Sequence, residues 1–268
     1  MKKRHYYPIY LVIILIIMYL PIALVIIYSF NQSKISSQWN GFTLSWYREL
    51  FSDRSMFEAL LNSVILALFA SLSAAVIGTL GASGMARMRM AAGPANKLQI
   101  GSGKIMEFLS ILPIMTPEII MGMTFLAFFS LLALPFGMLT LVIAHTAFCV
   151  PYVYLLVRAR LSGLDKSYVE AARIMGANDM RAFYDITLPL VLPAVISGML
   201  ISFSMSFDDV IVSVFVAGVN TNTLPMKIYS QMKTGVTPKT NAMCTLIFLL
   251  TVVMCLIAAA LARRQKSR

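Results

Sequence analysis

Three acidic side chains interrupt stretches of sequence that are otherwise almost wholly apolar. They are Glu118 and the adjacent pair Asp208 and Asp209. A charged side chain in a membrane span costs about 2.5–3.5 kcal/mol on insertion scales, so it normally faces a cavity or a partner. No Lys or Arg lies at a comparable depth beside these carboxylates. Because unpaired carboxylates offset the desolvation of an ammonium group, this set predicts a path for a cationic solute.

Hydroxyl groups accompany the acidic pair. Ser202, Ser206, Asp209 and Ser213 follow one another at steps of four, three and four residues. Such steps place side chains on one face of a helix, with Asp208 a fraction of a turn away. We therefore predict a polar stripe along a single helix, lying in the outer half of the membrane.

Two prolines precede Glu118. Pro113 and Pro117 each remove a helix hydrogen bond, so the helix is predicted to be kinked or broken there. Unwound backbone at this depth is tolerated only where it packs in protein or lines a cavity. Other roles stay open: the bend alone could require a local acceptor at Glu118, and Asp208 with Asp209 could cap a helix break or pair with a partner chain.

The composition places these residues in a membrane. Of the 268 residues, 59% are hydrophobic and 12% charged, whereas soluble domains are about 45–50% apolar and about 25% charged. The net charge of +11 is typical of basic loops beside apolar spans, which argues against a nucleic-acid partner. Cys149, Cys244 and Cys255 show no metal-ligand or disulfide spacing. His145 is interpreted as a packed neutral histidine.

Six apolar stretches are long enough to cross a bilayer, which needs roughly 20 residues. They cover residues 8–30, 57–86, 105–133, 136–157, 189–217 and 240–262. The first run is too long for a signal peptide, and no small-x-small cleavage site follows Phe30, so we expect it to be retained. The predicted fold is all-α, with one integral membrane domain of six transmembrane helices over residues 1–268.

The distribution of Lys and Arg predicts the orientation of these spans. With the N-terminus inside, 16 of the 22 basic residues fall in cytoplasmic segments, and 6 fall in the outer loops 31–56, 134–135 and 218–239. Lys and Arg collect on the cytoplasmic side of membrane proteins. Both termini are therefore predicted to be cytoplasmic.

The inner loop 158–188 has the pattern of two short helices joined by a glycine turn. Asp165 is a good N-cap, and Gly176 can end a helix in the left-handed conformation. Asn178 or Asp179 can cap the second helix. The first helix is amphipathic, so we expect the loop to lie against the inner face of the membrane.

A motif in this loop resembles the EAA signature of ABC importer permeases. It reads Glu170-Ala171-Ala172, three residues, Gly176, nine residues, Ile186, one residue, Leu188-Pro189. In that family the loop is a coupling helix that sits in a groove of a cytoplasmic ATPase. The resemblance implies a type I ABC importer permease fold and an ATPase-coupling role for Glu170, Ala171, Ala172, Gly176 and Asp179. An ordinary amphipathic loop between two spans is the alternative.

The chain carries no nucleotide site of its own. Gly101-Ser102-Gly103-Lys104 looks like the tail of a P-loop. A Walker A motif would need Gly at position 98 and Ser or Thr at position 105, which are Leu98 and Ile105. We therefore expect no enzyme activity and no cofactor in this chain, with ATP and Mg bound by a partner ATPase.

Landmarks along nearly the whole chain are similar to the second permease subunit of spermidine/putrescine importers. They are Tyr28-Ser29-Phe30-Asn31, Trp39 to Thr43, Trp46-Tyr47, Asn62-Ser63, Met115 to Ile119, Asp208-Asp209-Val210, Leu224 to Ser230, Gly235-Val236, Pro238 and Asn241-Ala242. The resemblance implies a substrate pathway through Asp208, Asp209, Glu118, Trp46 and Ser206. Two departures stand out: residues 91–104 lengthen an inner loop, and Glu118 replaces a frequent Asp.

Trp46 has two readings in this pattern. Aromatic residues in outer loops are most often anchors at the membrane interface. The alternative is a cation–π surface that receives an ammonium group from a binding protein.

The resemblance also implies partners. They are a sister permease, two cytoplasmic ATPase subunits, an extracytoplasmic solute-binding protein and the lipid bilayer of a bacterial inner membrane, with a polyamine as substrate moved by alternating access. No metal and no nucleic acid is expected. An importer for another solute, such as an aminophosphonate, ferric iron or thiamine, is the first alternative. An ATP-independent cation transporter is the second, and the EAA loop argues against it.

Overall fold

The computed structural model describes residues 6–33, 38–91, 97–165, 167–219, 221–235 and 237–266. Within these ranges the chain is helical apart from turns and one antiparallel bridge between Asn31 and Phe42. The α-helices are α1 Tyr6–Tyr28, α2 Ser45–Ser52, α3 Arg54–Ala91, α4 Lys97–Met115, α5 Glu118–Leu131, α6 Met138–Ser162, α7 Ser167–Ile174, α8 Asp179–Arg181, α9 Leu188–Asp208, α10 Ile211–Val216, α11 Leu224–Thr234 and α12 Pro238–Lys266. A π-helical segment, Ala182–Thr187, joins α8 to α9. The basic residues of the charge count that lie outside the described residues are Lys2, Lys3, Arg4, Lys34, Lys166 and Arg268.

Four described helices are long and apolar enough to cross a membrane. They are Tyr10–Tyr28, Arg54–Met88, Met138–Ser162 and the continuous stretch Asp179–Asp208. A fifth candidate is α4 with α5, two helices bent by 107° at the break between them. The apolar part of α12, Pro238–Val253, is shorter. By length and composition the described residues therefore provide four or five spans, against the six predicted from sequence.

The chain divides into two compact units. The first comprises Met1–Glu58 and Lys227–Arg268, and in it α12 packs against both α1 and α2. Lys239 Nζ lies 2.8 Å from Asp53 Oδ2 and 3.0 Å from Glu49 Oε1. The hydrogen bond from Lys239 holds the pKa of Asp53 below its usual range. These ion pairs join the start of α12 to α2.

The second unit, Ala59–Met226, is built around α6. This helix packs against α4, α9 and α10, and its Val153 and Val157 are fully buried. Gly198 of α9 permits a close approach, since a Cβ there would lie 2.9 Å from the Cα of Val153. Membrane helices gain little hydrophobic free energy by meeting, so small residues that bring their backbones together stabilise the packing.

Two of the predicted spans are broken. The first break follows the prolines, as predicted: α4 ends at Met115, Pro117 is the N-cap residue of α5, and Glu118 is its first residue. The second break corrects the predicted single helix through residues 189–217 and agrees with the alternative that this acidic pair caps a helix break. There α9 ends at Asp208, Asp209 is extended with ψ 131°, and α10 begins at Ile211.

The physical reason for the second break is local capping. The Asp209 carboxylate accepts the backbone N–H groups of Val212 at 3.2 Å and Ser213 at 2.8 Å. A side chain that satisfies the first donors of a new helix favours a helix start at that position. The spacing of polar residues predicted a continuous stripe because it contains no signal for this competing hydrogen-bond pattern.

Candidate functional site

A cavity of about 410 Å³ lies in the second unit, where the two helix breaks meet. The described residues that line it come from α4, α5, α6, α9 and α10 and the turns between them. They are Pro113, Ile114, Thr116, Glu118, Met121, Phe148, Tyr152, Met205, Asp208, Asp209, Val210, Ile211 and Val212. The structure thus brings Glu118 together with the adjacent pair Asp208 and Asp209, which lies far from it in sequence, and no Lys or Arg is among the described lining residues.

Glu118 and Asp208 are the two carboxylates that are open at this cavity. Both residues are exposed in the isolated chain and both line the cavity wall. Asp208 is the last residue of α9, and Glu118 is the first of α5. The half-buried phenol of Tyr152, from α6, lines the same wall. This arrangement can neutralise an ammonium group that has lost its hydration shell.

Helix ends add to the electrostatics of the cavity. The last turns of α4 and α9 line it, and the carbonyl groups at a helix C-terminus carry partial negative charge. The opposite ends of α5 and α10 also face it, but Glu118 lies in the first turn of α5 and Asp209 caps α10. Negative charge therefore prevails, which favours a cation.

Asp209 differs from its neighbour, because its side chain is only 5% exposed. Besides the two backbone N–H groups of α10, its Oδ2 accepts a hydrogen bond from the Ser213 hydroxyl at 2.8 Å. His145 Nε2 of α6 lies 3.4 Å from the same oxygen. Asp209 lines the cavity with its carboxylate turned inward to the protein. The sequence analysis considered only Lys and Arg as partners of the Asp209 carboxylate, and so it overlooked this histidine.

His145 is fully buried at the contact of α6 with α9 and α10. Its Nδ1 lies 2.8 Å from the Ser206 hydroxyl, and its Nε2 lies 3.1 Å from the Ser213 hydroxyl. The ring also packs against Phe148 at a centroid distance of 5.0 Å. The predicted packing of His145 is confirmed, but the ring is a hydrogen-bonding centre that its position in the sequence does not reveal.

The serines of the predicted stripe are structural partners in this arrangement. Ser206 is buried and bonded to His145. Ser202 is also buried, with its hydroxyl 3.4 Å from the carbonyl of Cys149. These serines face α6. Ser206 does not line the cavity itself, and it is linked through His145 to Asp209, which does.

Trp46 is not among the residues that line this cavity. It lies in the first unit, in α2, where its indole Nε1 donates to the Asn31 carbonyl at 2.7 Å. The next residue, Tyr47, shares a 2.7 Å hydrogen bond with Ser29. The two aromatic residues therefore fasten α2 to the turn that follows α1.

The inner loop has the predicted form of helix, glycine turn and helix. Gly176 has φ +87°, the left-handed conformation that ends α7. Asn178 accepts the backbone N–H of Arg181 at 2.8 Å and so caps α8. Before α7, Asp165 accepts the backbone N–H of Ser167, and this hydrogen bond holds the pKa of Asp165 below its usual value.

The first helix of this loop presents side chains to the outside. Glu170 and Ala171 are exposed in the isolated chain, and Ala172 is half-buried. The large apolar residues at its end are almost fully exposed, with Ile174 at 87% and Met175 at 88%. Both side chains are therefore available for contact with another molecule.

An arginine of α3 holds the loop to the rest of the second unit. Arg87 donates to the Asp179 carbonyl at 2.7 Å and lies over the Phe183 ring. The Asp179 carboxylate accepts from Arg173 of α7 at 2.9 Å. Asp179 is therefore the junction of three elements. The sequence analysis missed this role of Arg87, which enters there only as one of the 16 basic residues in cytoplasmic segments.

A membrane domain of apolar helices with an exposed amphipathic helix on an EAA-type loop defines the membrane subunit of an ABC-type transport system. The chain belongs to the family described as "binding-protein-dependent transport system inner membrane component", whose model matches residues 90–268. Members of this family are transport permeases and not enzymes, and they act with an ATPase, a binding protein and a second permease.

Three curated relatives are similar over most of their length. The spermidine/putrescine transport system permease protein PotC of Haemophilus influenzae is 37% identical over 92% of this chain and 92% of the relative. PotC of Escherichia coli K12 is 38% identical over 94% and 91%. The putrescine transport system permease protein PotI of Escherichia coli K12 is 37% identical over 86% and 81%.

Solved structures share the fold. A chain of a bacterial ABC transporter that imports the acidic polysaccharide alginate matches with a TM-score of 0.71 at 14% identity, over 98% of each chain. A chain of the inward-facing MetNI methionine ABC transporter matches with a TM-score of 0.58 at 16% identity, over 81% of this chain and 100% of that one. The all-helical fold of ABC transporter permeases is therefore established for this chain.

Proposed function

We propose that this chain is the permease subunit of an ATP-driven importer for spermidine or putrescine. The observation that carries the proposal is the cavity where two helix breaks meet, with Glu118 and Asp208 open to it and no Lys or Arg in its described lining. A polyamine presents several ammonium groups on an apolar chain, which matches carboxylates set among Met and aromatic residues. The spermidine/putrescine and putrescine permeases among the relatives support the same solute class.

The proposed assembly follows the sequence pattern. Six spans make one permease domain, with both termini on the cytoplasmic side, as the distribution of Lys and Arg favours. A sister permease completes the path, two ATPase subunits bind ATP and Mg on the cytoplasmic side, and a binding protein delivers the solute from outside. The membrane is the bacterial inner membrane.

The proposed mechanism is alternating access. An ATPase groove receives the exposed end of α7, including Ile174 and Met175, and its closure moves the inner loop. This motion passes from α7 through Arg173 to Asp179, and from Asp179 through Arg87 to α3. The solute then crosses the cavity at Asp208 and Glu118, where several modest interactions permit both entry and release. Trp46 does not line this cavity, so its contact with the cation belongs to an earlier step.

The experiment is uptake of radiolabelled spermidine and putrescine by proteoliposomes that contain the complete complex, with an anionic solute as a third substrate. Asp208→Asn and Glu118→Gln keep shape and remove charge. A hydrogen bond to a charged group contributes about 1.5–3 kcal/mol, so each change is expected to reduce polyamine uptake about tenfold or more. Glu58→Gln is the matched control, because Glu58 is an exposed acid that pairs only locally with Arg54.

The outcomes separate the candidate functions. Polyamine uptake that falls in the two cavity variants and persists in Glu58→Gln supports the proposal. Equal uptake of the anionic solute would remove the polyamine assignment and leave a permease for another solute. Uptake without ATP would favour an ATP-independent cation transporter.

A further inference from the structure

The two neighbouring carboxylates of the helix break have different surroundings. Asp208 is exposed and lines the cavity. The Asp209 carboxylate accepts two backbone N–H groups and one hydroxyl, and it faces an imidazole nitrogen. Both of its oxygens are thus engaged within the protein. A carboxylate bound in this way is a fastening point, and it has little capacity left to accept a hydrogen bond from a solute.

The proton on His145 follows from its neighbours. A carboxylate only accepts hydrogen bonds, so the Nε2 that faces Asp209 Oδ2 at 3.4 Å carries the hydrogen. In a neutral imidazole the other nitrogen then accepts, and the Ser206 hydroxyl donates to Nδ1 at 2.8 Å. Ser213 meets both groups, with its hydroxyl 3.1 Å from Nε2 and 2.8 Å from Asp209 Oδ2. All the polar atoms of this cluster are paired.

This cluster bridges both sides of the break. Ser206 lies in the last turn of α9 and Ser213 in the first turn of α10, while His145 belongs to α6. A single ring therefore holds the end of one helix and the start of the next. Asp208 lies between these two fixed points, so its direction depends on them.

We propose that His145 is a positioning residue, which holds the Asp209 carboxylate at the start of α10 and thereby fixes the helix break that presents Asp208 to the cavity. The functional part of this inference rests on the proposed polyamine path. It assigns distinct roles to two adjacent acids: Asp208 meets the cation, and Asp209 supports the backbone that directs Asp208.

The first test measures the stability of the helix break itself and needs no substrate. Hydrogen exchange of peptides that cover residues 209–216 is measured in the complete complex. His145→Ala and Asp209→Asn are expected to increase the exchange rate about tenfold, because the N–H groups of Val212 and Ser213 lose a firmly held acceptor. Asp208→Asn leaves this exchange unchanged. Unchanged exchange in His145→Ala would overturn the proposal.

The second test measures transport as the ratio of spermidine molecules transported to ATP molecules hydrolysed. His145→Ala, Asp209→Asn and the double variant are expected to lower this ratio by the same factor, about tenfold, since residues of one network do not add. Asp208→Asn combined with Glu118→Gln gives the comparison for two open carboxylates that are not held by His145. A proportional loss of uptake and ATP hydrolysis in His145→Ala, or additivity with Asp209→Asn, would overturn the proposal.

Two matched variants separate positioning from simple packing. Gln places an amide donor where His Nε2 lies, whereas the shorter Asn places its amide near Nδ1 and does not reach Asp209. His145→Gln is therefore expected to retain transport within about threefold of the wild type, and His145→Asn to resemble His145→Ala. Thr146→Val is the neighbour control, because the buried Thr146 hydroxyl has no hydrogen-bond partner among the described residues.

The results also distinguish failure of this inference from failure of the proposed function. A wild-type complex that does not transport spermidine contradicts the proposed function, while the exchange measurement still decides the role of His145. A wild-type complex that transports spermidine, with His145→Ala unchanged in both readouts, contradicts the inference alone.

Discussion

At the scale of single residues, the role of each carboxylate in this protein depends on the groups around it. The carboxylates of Asp208 and Asp209 are adjacent in sequence, yet one is open to a cavity and the other is enclosed by hydrogen bonds. Asp53, outside the spans, shows a third case, because Lys239 pairs with it directly. Each carboxylate therefore needs its own test.

The pair between Lys239 and Asp53 predicts a pH-dependent contribution to stability. The pKa of Asp53 is lower in the folded protein than its usual value, with the hydrogen bond from Lys239 as the main favourable cause. A group with a lowered folded pKa stabilises the fold above its unfolded pKa, about 3.9, and the contribution is lost as the pH falls below that value. Lys239→Met is therefore expected to lower the thermal midpoint of the complex at pH 7 and to make less difference towards pH 3.

The control for this prediction is Lys233→Met. Lys233 lies over the Tyr229 ring in α11 and has no carboxylate partner among the described residues. Its effect on the midpoint should not change between the two pH values. A Lys239→Met effect that is equally constant would contradict the assigned pairing.

At the scale of elements, the breaks and close contacts of helices position the cavity. The break before Glu118 could be predicted, because proline has a known effect on helix hydrogen bonds. The sequence offers the break at Asp209 only as an alternative, since a carboxylate that caps a helix and one that lies on its face have the same spacing. The close contact at Gly198 also depends on the tertiary fold, because it involves Val153 of another helix.

The contact of α9 with α6 predicts that one added methyl group lowers the stability at Gly198 and does not lower it at Gly84. Gly198→Ala places a Cβ 2.9 Å from the Cα of Val153, so the helices must separate. Overpacking of this kind costs about 1–3 kcal/mol. Gly84→Ala meets nothing within 4 Å and is expected to be neutral or slightly stabilising. The thermal midpoints of the two purified variants, compared with the wild type, check the prediction.

At the scale of the whole molecule, the sequence predicted the class of protein well and the details of its spans less well. The amphipathic loop with Gly176 and Asn178 has local signals, and the structure confirms them. The six predicted spans correspond to four or five candidates among the described residues. The link from Arg87 to Asp179 joins residues 92 positions apart, so no pattern within one segment indicates it.

The exposure of α7 predicts that a change on its surface impairs the coupling to the ATPase and leaves the solute cavity intact. Glu170→Lys reverses a charge on a surface residue of this helix and leaves the cavity unchanged. We expect the complex to lose ATP hydrolysis stimulated by the loaded binding protein, because the loop no longer seats in the ATPase. Pull-down of the ATPase with the permease, together with the stimulated activity, checks this. Asp185→Asn, another exposed acid of the same inner loop, is the control, and equal losses in both variants would contradict a specific role for α7.

The first helix has a consequence for how the protein is made. Its apolar stretch Tyr10–Tyr28 has a mean hydropathy of 3.0, and none of it is buried by the rest of the chain. Its backbone hydrogen bonds close within the helix, so it needs only lipid to be stable. This segment can therefore leave the translocation machinery and wait in the bilayer while the later helices, with their breaks and buried histidine, are still being synthesised. Insertion of α1 can therefore precede its packing against α12.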